Sequence, residues 1–196
     1  MQTEKRQPSG IKDYIALALT TFGVGYIAGA PGTYGSLLAI FVYSPLSWLV
    51  TVKLTFSYAY SDTFQILPGA MSFGVPESVL AWLHVTIIVS LLVLTLLGIW
   101  ASGRSIRIFG TEDPHEAVVD EVIGQLVTFL FIPFTLSWPL IVAGFVLFRI
   151  FDIWKPYPID LLQDLPGGLG ICADDIVAGV YAGVCLSVFY AIMISL

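Results

Sequence analysis

Five carboxylates border the apolar stretches of this chain, and they fall into three groups. Asp120 and Glu121 open one stretch, Asp152 closes the next, and Asp174 with Asp175 opens the last. Ionised side chains beside lipid are costly, and they usually mark functional sites. If consecutive helices cross a membrane in alternating directions, the end of one helix and the start of the next lie on the same side. We therefore expect the three groups to meet in one pocket, where the chemistry takes place.

The acids also indicate which metal such a pocket could hold. Hard divalent cations such as Mg²⁺ bind carboxylate oxygens and keep part of their water shell. The cysteines, Cys172 and Cys185, and the histidines, His84 and His115, show no clustering that suits zinc. We interpret the cysteines as ordinary apolar residues, His84 as packing inside a helix and His115 as solvated. Mg²⁺ is therefore the predicted ion, and the five acids are its predicted ligands.

The composition is typical of a multi-span helical membrane protein. Mean hydropathy is +0.90, and only 11% of the 196 residues are charged. A net charge of -6, with eight Lys and Arg in all, offers no basic surface for nucleic acid. No small-residue cleavage pattern follows the polar segment 1–13, so we expect an uncleaved chain. We expect residues 1–196 to form a single membrane-embedded domain, and we infer no obligate protein partner.

A spanning helix needs about 20 mostly apolar residues. The chain is therefore predicted to form an all-α membrane bundle of about five spans, at 36–52, 79–100, 114–132, 139–151 with an extension to 155, and 174–196. Residues 14–30 are apolar but broken by glycine and proline, which predicts a helix running into a buried, irregular loop. Residues 54–78 are predicted to connect two spans on the side away from the acids.

The start of the third span has a local signature. Asp113, Pro114 and Glu116 provide an N-cap acceptor, a proline at the first helical position and an acid at the third. We therefore expect the helix to begin near Pro114. Asp120 and Glu121 would then lie in its second turn, with Asp120 on the same face as Glu116.

Basic residues accompany the acid that closes the fourth span. Arg149, Asp152 and Lys155 lie within one helical face, so they can serve one cavity. Lys155, fixed by Pro156 and Pro158, is predicted to bind a phosphate while Asp152 holds metal or water. A simple ion pair between Asp152 and Lys155, and an Arg149 that reaches lipid headgroups, are the alternatives.

A glycine-rich run at 29–36 precedes a helix. Its free amides and hydroxyls, from Gly32, Thr33, Gly35 and Ser36, could cradle an anion. A plain turn with Ser36 as the helix cap is the alternative.

The paired acids have simpler interpretations too. Asp174 and Asp175 could merely cap a helix, although two adjacent acids exceed what capping requires. The earlier pair could form an exposed first turn that pairs with Arg104 or Arg107.

The basic residues predict the orientation of the pocket. On the predicted topology Arg104, Arg107, Arg149 and Lys155 lie on the acid side, against Lys53 on the other. Cytoplasmic flanks carry excess Lys and Arg, so we expect the pocket to face the cytoplasm.

Four motifs in order resemble the phosphatidylglycerophosphatase A family, which are integral membrane enzymes of bacterial phospholipid synthesis. The motifs are PGTYGS at 31–36, DEVIG at 120–124, RIFDIWKPYP at 149–158, and GGLG at 167–170 leading to DDIVAG at 174–179. The resemblance runs from about residue 23 to residue 180. Ala28 stands where the family pattern predicts a proline, and the 54–78 stretch is longer than expected.

The resemblance implies Mg²⁺-dependent hydrolysis of the terminal phosphomonoester of phosphatidylglycerophosphate, in the bacterial cytoplasmic (inner) membrane. The substrate is then a phospholipid in the bilayer. On this hypothesis the five acids hold one or two Mg²⁺ ions and Asp175 is the candidate acceptor of the proton of water. Lys155, with Arg149 and the loop at 33–36, would neutralise charge on the phosphate. Asn at Asp152 or Asp174 is then expected to abolish phosphate release without unfolding the protein.

Other functions make different predictions. Another lipid phosphomonoesterase, acting for example on phosphatidate, would use the same acids. A nucleotide-activated alcohol transferase would carry a signature of spaced Asp and Gly that is missing here, and a histidine-based lipid phosphatase would need more catalytic His. An ion or proton transporter would place its acids midway through the membrane. A structural membrane subunit would tolerate alanine at Asp152.

Overall fold

The structure of the chain is a computed structural model that describes the backbone of residues 5–64, 77–133 and 137–196. Side chains are described within these ranges except at 51–64, 77 and 80. The helices are α1 Ile11–Thr21, α2 Pro31–Phe64, α3 Glu77–Phe109, α4 Val119–Phe129, α5 Trp138–Trp154, α6 Ile159–Leu162 and α7 Gly168–Ser195, with a 3₁₀ turn at Val24–Tyr26. The described residues form no strand. The predicted all-α class is confirmed.

Within the described residues, three helical segments are long and apolar enough to cross a membrane: Pro31–Val50, Ala81–Phe109 and Gly168–Ser195. α4 has 11 residues and α5 has 17, both short of the roughly 20 that a perpendicular span needs. The three segments fit a membrane bundle, while the number of about five spans stays a prediction.

α4 is the centre of the bundle. Nine of its 11 residues are buried, and it packs against α1, α2, α3, α5 and α7. Two glycines bring α4 and α7 into backbone contact: a Cβ at Gly179 would collide with the carbonyl of Gly124, and one at Gly124 would lie 2.6 Å from the carbonyl oxygen of Asp175. The acids at the starts of α4 and α7 are therefore held close together.

The third predicted span begins later than expected. The backbone N–H of Val118 donates to the carbonyl of Thr20 at 2.9 Å, and that of Ala117 donates to Pro114 at 2.8 Å. Residues 114–118 therefore form a turn bound to the end of α1. The predicted helix start near Pro114 is wrong, and Asp120 and Glu121 lie in the first turn of α4 rather than in its second.

The helices predicted to begin at residues 36 and 174 also begin earlier than expected. α7 begins at Gly168, so Asp174 and Asp175 lie in its second turn and do not cap it. α2 begins at Pro31, a favourable first helical residue, so residues 32–36 belong to a helix rather than to a loop. The alternative of Ser36 as the cap is therefore wrong.

Two predicted connections are only partly described. Within 14–30, Gly25 is buried, but residues 26–30 are exposed, so the predicted buried loop is wrong for that part. Within 54–78, α2 continues as a helix to Phe64. The rest of that predicted connection, 65–76, lies outside the described residues.

Candidate active site

One cavity of about 990 Å³ lies where α2, α4 and α7 begin and where α3 and α5 end. Eight of the predicted site residues line it: Gly32, Asp120, Glu121, Arg149, Asp152, Lys155, Asp174 and Asp175. The structure thus brings all three groups of acids to one place. Helix direction explains this, because α2, α4 and α7 begin at this end of the bundle, whereas α3 and α5, which alternate with them along the chain, end there.

Three of the acids form a tight cluster. Ligand oxygens of Asp120, Glu121 and Asp175 all lie within 4.8 Å of one another. Asp120 and Asp175 are buried, and one oxygen of each of the three residues has no hydrogen-bond partner in the described part of the chain. Like charges this close are unfavourable when buried, unless a cation neutralises them. The cluster fits a hard divalent cation with oxygen ligands.

The other two acids carry ion pairs. Asp152 Oδ2 lies 2.6 Å from Arg149 Nη1, and Asp174 Oδ2 lies 2.6 Å from Lys155 Nζ. The predicted alternative of an ion pair between Asp152 and Lys155 is therefore wrong. Asp174 lines the cavity, and its Oδ1 is buried without a hydrogen-bond partner among the described residues, so this oxygen is a potential ligand.

Lys155 stays charged in this setting. Burial lowers the pKa of its ammonium, but the hydrogen bond to Asp174 and the charges of Asp174, Asp175 and Asp152 outweigh burial. The pKa of Lys155 is therefore raised from its ordinary value. A fixed positive charge at the cavity wall is suited to binding a phosphate oxygen.

Gly32 is where the glycine-rich motif meets the cavity. A Cβ at this position would collide with Glu121 Oε1 and would lie 3.0 Å from Arg149 Nη1. The missing side chain therefore lets a carboxylate and a guanidinium approach the start of α2 together.

The other predicted anion-binding residues of α2 do not line the cavity. Ser36 Oγ donates to the carbonyl of Gly32 at 3.0 Å. Gly35 faces α4, because a Cβ there would lie 2.9 Å from the carbonyl oxygen of Val118. Thr33 is half-buried in the same helix. Ser36 and Gly35 serve the packing of α2 in this structure, and no contact places Thr33 in the cavity.

The predicted alternative of Arg104 pairing with Asp120 or Glu121 is wrong. Arg104 Nε instead lies 2.6 Å from Asp13 Oδ1, and the backbone N–H of Ser9 donates to Asp13 Oδ2 at 2.8 Å. The hydrogen bond from Ser9, followed by that from Arg104, lowers the pKa of Asp13 below its ordinary value. This pair ties α1 to the end of α3.

Two residues near the site were missed in the sequence. Gln125 is fully buried, and both of its amide atoms lack hydrogen-bond partners among the described residues. It lies one turn after Glu121 on the same helical face. A polar residue four positions after an acid, inside an apolar run, is the signal that could have found it.

Arg107, considered above as a flanking charge and as an alternative partner of Asp120 or Glu121, lines the cavity from α3 and forms no ion pair with either acid among the described residues. His115 also lines the cavity and is exposed, as expected for a solvated side chain.

Comparison with known proteins identifies a family whose model matches this chain. The model of the family described as Phosphatidylglycerophosphatase A matches residues 17–190. A Bacteroides thetaiotaomicron protein, provisionally named phosphatidylinositol-3-phosphatase, is 34% identical over 170 residues, covering 86% of this chain and 89% of that protein.

Two relatives carry the family's own name. Phosphatidylglycerophosphatase A of Escherichia coli is 34% identical, covering 81% of this chain and 73% of that protein. Its counterpart in Haemophilus influenzae is 32% identical, covering 86% of this chain and 83% of that protein. No solved structure matches the chain. With a family match over residues 17–190 and relatives at 32–34% identity that bear the family's name, the chain belongs to the phosphatidylglycerophosphatase A family, a family of phosphoric monoester hydrolases.

Proposed function

We propose that this protein hydrolyses the terminal phosphomonoester of phosphatidylglycerophosphate to phosphatidylglycerol and inorganic phosphate, with Mg²⁺, in glycerophospholipid biosynthesis. The observation that carries the proposal is the cluster of Asp120, Glu121 and Asp175 within 4.8 Å, in a cavity that Arg149 and Lys155 also line. Clustered carboxylates beside fixed cations are what metal-assisted phosphate hydrolysis requires.

Asp120, Glu121 and Asp175 would hold the metal, with Asp174 Oδ1 as a further ligand. When bound, Mg²⁺ would supply positive charge for the phosphate oxygens and lower the pKa of a coordinated water. The role of Asp152 differs from the earlier expectation, since its ion pair with Arg149 suits it to position that guanidinium.

The remaining residues act on the phosphate. Lys155 and Arg149 would bind its oxygens and stabilise the negative charge that develops during transfer. In the reaction the oxygen of water forms a bond to phosphorus, and the bond from phosphorus to the glycerol oxygen breaks. The proton of water would pass to a carboxylate, for which Asp175 is the candidate, and the glycerol oxygen takes a proton from solvent.

We also propose that the protein lies in the bacterial cytoplasmic membrane with its cavity facing the cytoplasm. Arg107, Arg149 and Lys155 line the cavity, and Arg104 lies one turn before Arg107 in α3. An excess of basic residues at this end of the apolar helices favours a cytoplasmic location. Acids gathered at one end of the candidate spans disfavour a transporter with a mid-membrane relay.

A second candidate substrate is phosphatidylinositol 3-phosphate, because the Bacteroides relative is named for that activity. Phosphate release by the purified protein in detergent micelles separates the candidates. Phosphatidylglycerophosphate, phosphatidylinositol 3-phosphate and phosphatidate are presented at equal surface concentration, with D175N as the inactive control. We expect kcat/KM for phosphatidylglycerophosphate to exceed the others by about tenfold or more. A clear preference for either other lipid would overturn the proposal.

A further inference from the structure

Three basic side chains line the cavity, and Arg107 differs from the other two. Arg149 is paired with Asp152 and Lys155 with Asp174. Arg107 is exposed and takes part in none of the ion pairs of the described residues. The nearby Asp13 is already engaged, since one carboxylate oxygen accepts from Arg104 and the other from Ser9. The guanidinium of Arg107 therefore forms no ion pair with a carboxylate of the described residues.

The backbone of Arg107 is fixed in place. It lies in the last turn of α3, and its carbonyl accepts a hydrogen bond from the backbone N–H of Arg6 at 3.0 Å. The neighbouring pair of Arg104 and Asp13 ties the same turn to α1. An anion bound by Arg107 would thus meet a side chain on an anchored helix end.

Arg107 lies across the cavity from the other two basic residues. α3 and α5 each pack against α4 and α7, and within the described ranges α3 and α5 do not pack against each other. Arg107 belongs to the wall formed by α3, while Arg149 and Lys155 belong to the wall formed by α5 and the residue that follows it. The acids of α4 and α7 lie between these two walls.

We infer that Arg107 binds the phosphodiester of the lipid substrate while the terminal phosphate lies at the acids beside Arg149 and Lys155. This inference rests on the proposed function. Phosphatidylglycerophosphate carries two phosphates joined by a glycerol, so it presents two anionic groups to one cavity with two basic walls. Phosphatidate carries only the monoester. Arg107 would therefore select lipids that have a second phosphate, since a guanidinium binds phosphate oxygens through two parallel hydrogen bonds.

The test separates binding of the diester from chemistry at the monoester. R107Q is expected to raise KM for phosphatidylglycerophosphate about tenfold, the usual effect of losing a hydrogen bond to a charged group. Its kcat should stay within about twofold, because the diester is bound equally in ground and transition states. Phosphatidylglycerol keeps the diester and lacks the monoester, so its inhibition constant as a competitor should rise by the same factor. R107K keeps the charge and should recover part of both losses.

K12Q is the matched control, because Lys12 is an exposed cation on α1 that does not line the cavity. It should leave KM and inhibition by phosphatidylglycerol at wild-type values. The inference is overturned if R107Q keeps wild-type KM and inhibition, if it lowers kcat alone, or if K12Q has the same effect. Failure of the proposed function looks different, because the wild-type protein would then release phosphate from phosphatidylinositol 3-phosphate or phosphatidate in clear preference to phosphatidylglycerophosphate, whatever the effect of R107Q.

Discussion

The ammonium of Lys155 donates a hydrogen bond to Asp174 Oδ2 at 2.6 Å, which joins the residue after α5 to the second turn of α7. The two residues are 19 positions apart in the chain. The contact holds the end of α5 against the start of α7. It leaves the second oxygen of Asp174 without a hydrogen-bond partner among the described residues. A cation and a potential metal ligand are thus positioned by one contact.

Replacing Lys155 tests its proposed role at the phosphate. K155Q should lower kcat by about 10²- to 10³-fold, the usual cost of removing a group that stabilises transition-state charge. K155R keeps the charge but changes the hydrogen-bonding geometry, so it should recover only part of the rate. Phosphate release from phosphatidylglycerophosphate measures both. A K155Q protein with wild-type kcat would contradict the assignment.

Replacing Asp152 tests whether Arg149 must be held in place. D152N removes the charge that lies 2.6 Å from the guanidinium of Arg149. Because the guanidinium is then no longer held in place, the rate of phosphate release should fall by about 10- to 100-fold. D160N is the matched control, because Asp160 is an exposed acid on α6 outside the cavity. Retention of the folded protein is checked by its elution in detergent. Equal rates for the two variants would show that the ion pair is not needed.

Adding one methyl group at the start of α2 tests the geometry of the acids. In G32A the new Cβ would collide with Glu121 Oε1, so the carboxylate must leave its present position beside Asp120 and Asp175. The Mg²⁺ concentration for half-maximal activity should rise by about tenfold, as for other changes that displace a metal ligand.

The control for G32A is L37A, on an exposed part of the same helix. It should need no more Mg²⁺ than the wild type. If G32A also keeps the wild-type Mg²⁺ requirement, Glu121 is not a ligand.

The ion pair of Asp13 and Arg104 predicts a pH-dependent stability. The folded protein lowers the pKa of Asp13 below its ordinary value of 3.8. The stabilisation is therefore complete above that value and is lost as the pH falls through the lower, folded-state pKa. D13N should lower Tm in detergent at neutral pH, and its difference from the wild type should shrink at about pH 3 and below. A Tm difference that is independent of pH would contradict this.

The meeting of the acids could be predicted from the sequence, because it depends only on apolar length and alternating helix direction. The local starts of α2, α4 and α7 could not, and those of α4 and α7 show why. At Asp113 and Pro114 a good capping signature is overridden by a tertiary hydrogen bond from Val118 to Thr20 of α1. At Gly168 a glycine that indicates a loop is buried in α7, where a Cβ would collide with the carbonyl of Ile99 in α3. Both depend on contacts between distant parts of the chain.

The ion-pair partners of the charged residues could not be predicted from the sequence either. Spacing placed Arg149, Asp152 and Lys155 on one face, yet Lys155 follows the end of α5 in a left-handed conformation and, where α5 packs against α7, pairs with Asp174. Likewise, the glycine motif suggested a phosphate cradle, whereas α2 begins at Pro31 and leaves only Gly32 of the predicted anion-binding glycines and hydroxyls at the cavity.

The most direct test of the central claim is phosphate release from phosphatidylglycerophosphate by the purified protein, as a function of Mg²⁺ after complete chelation. We expect no turnover in chelator, saturable recovery on adding Mg²⁺, and no recovery at any Mg²⁺ concentration in D175N. Undiminished phosphate release in the presence of chelator, or a D175N protein as active as the wild type, would contradict the proposal that the clustered carboxylates act by holding a divalent cation.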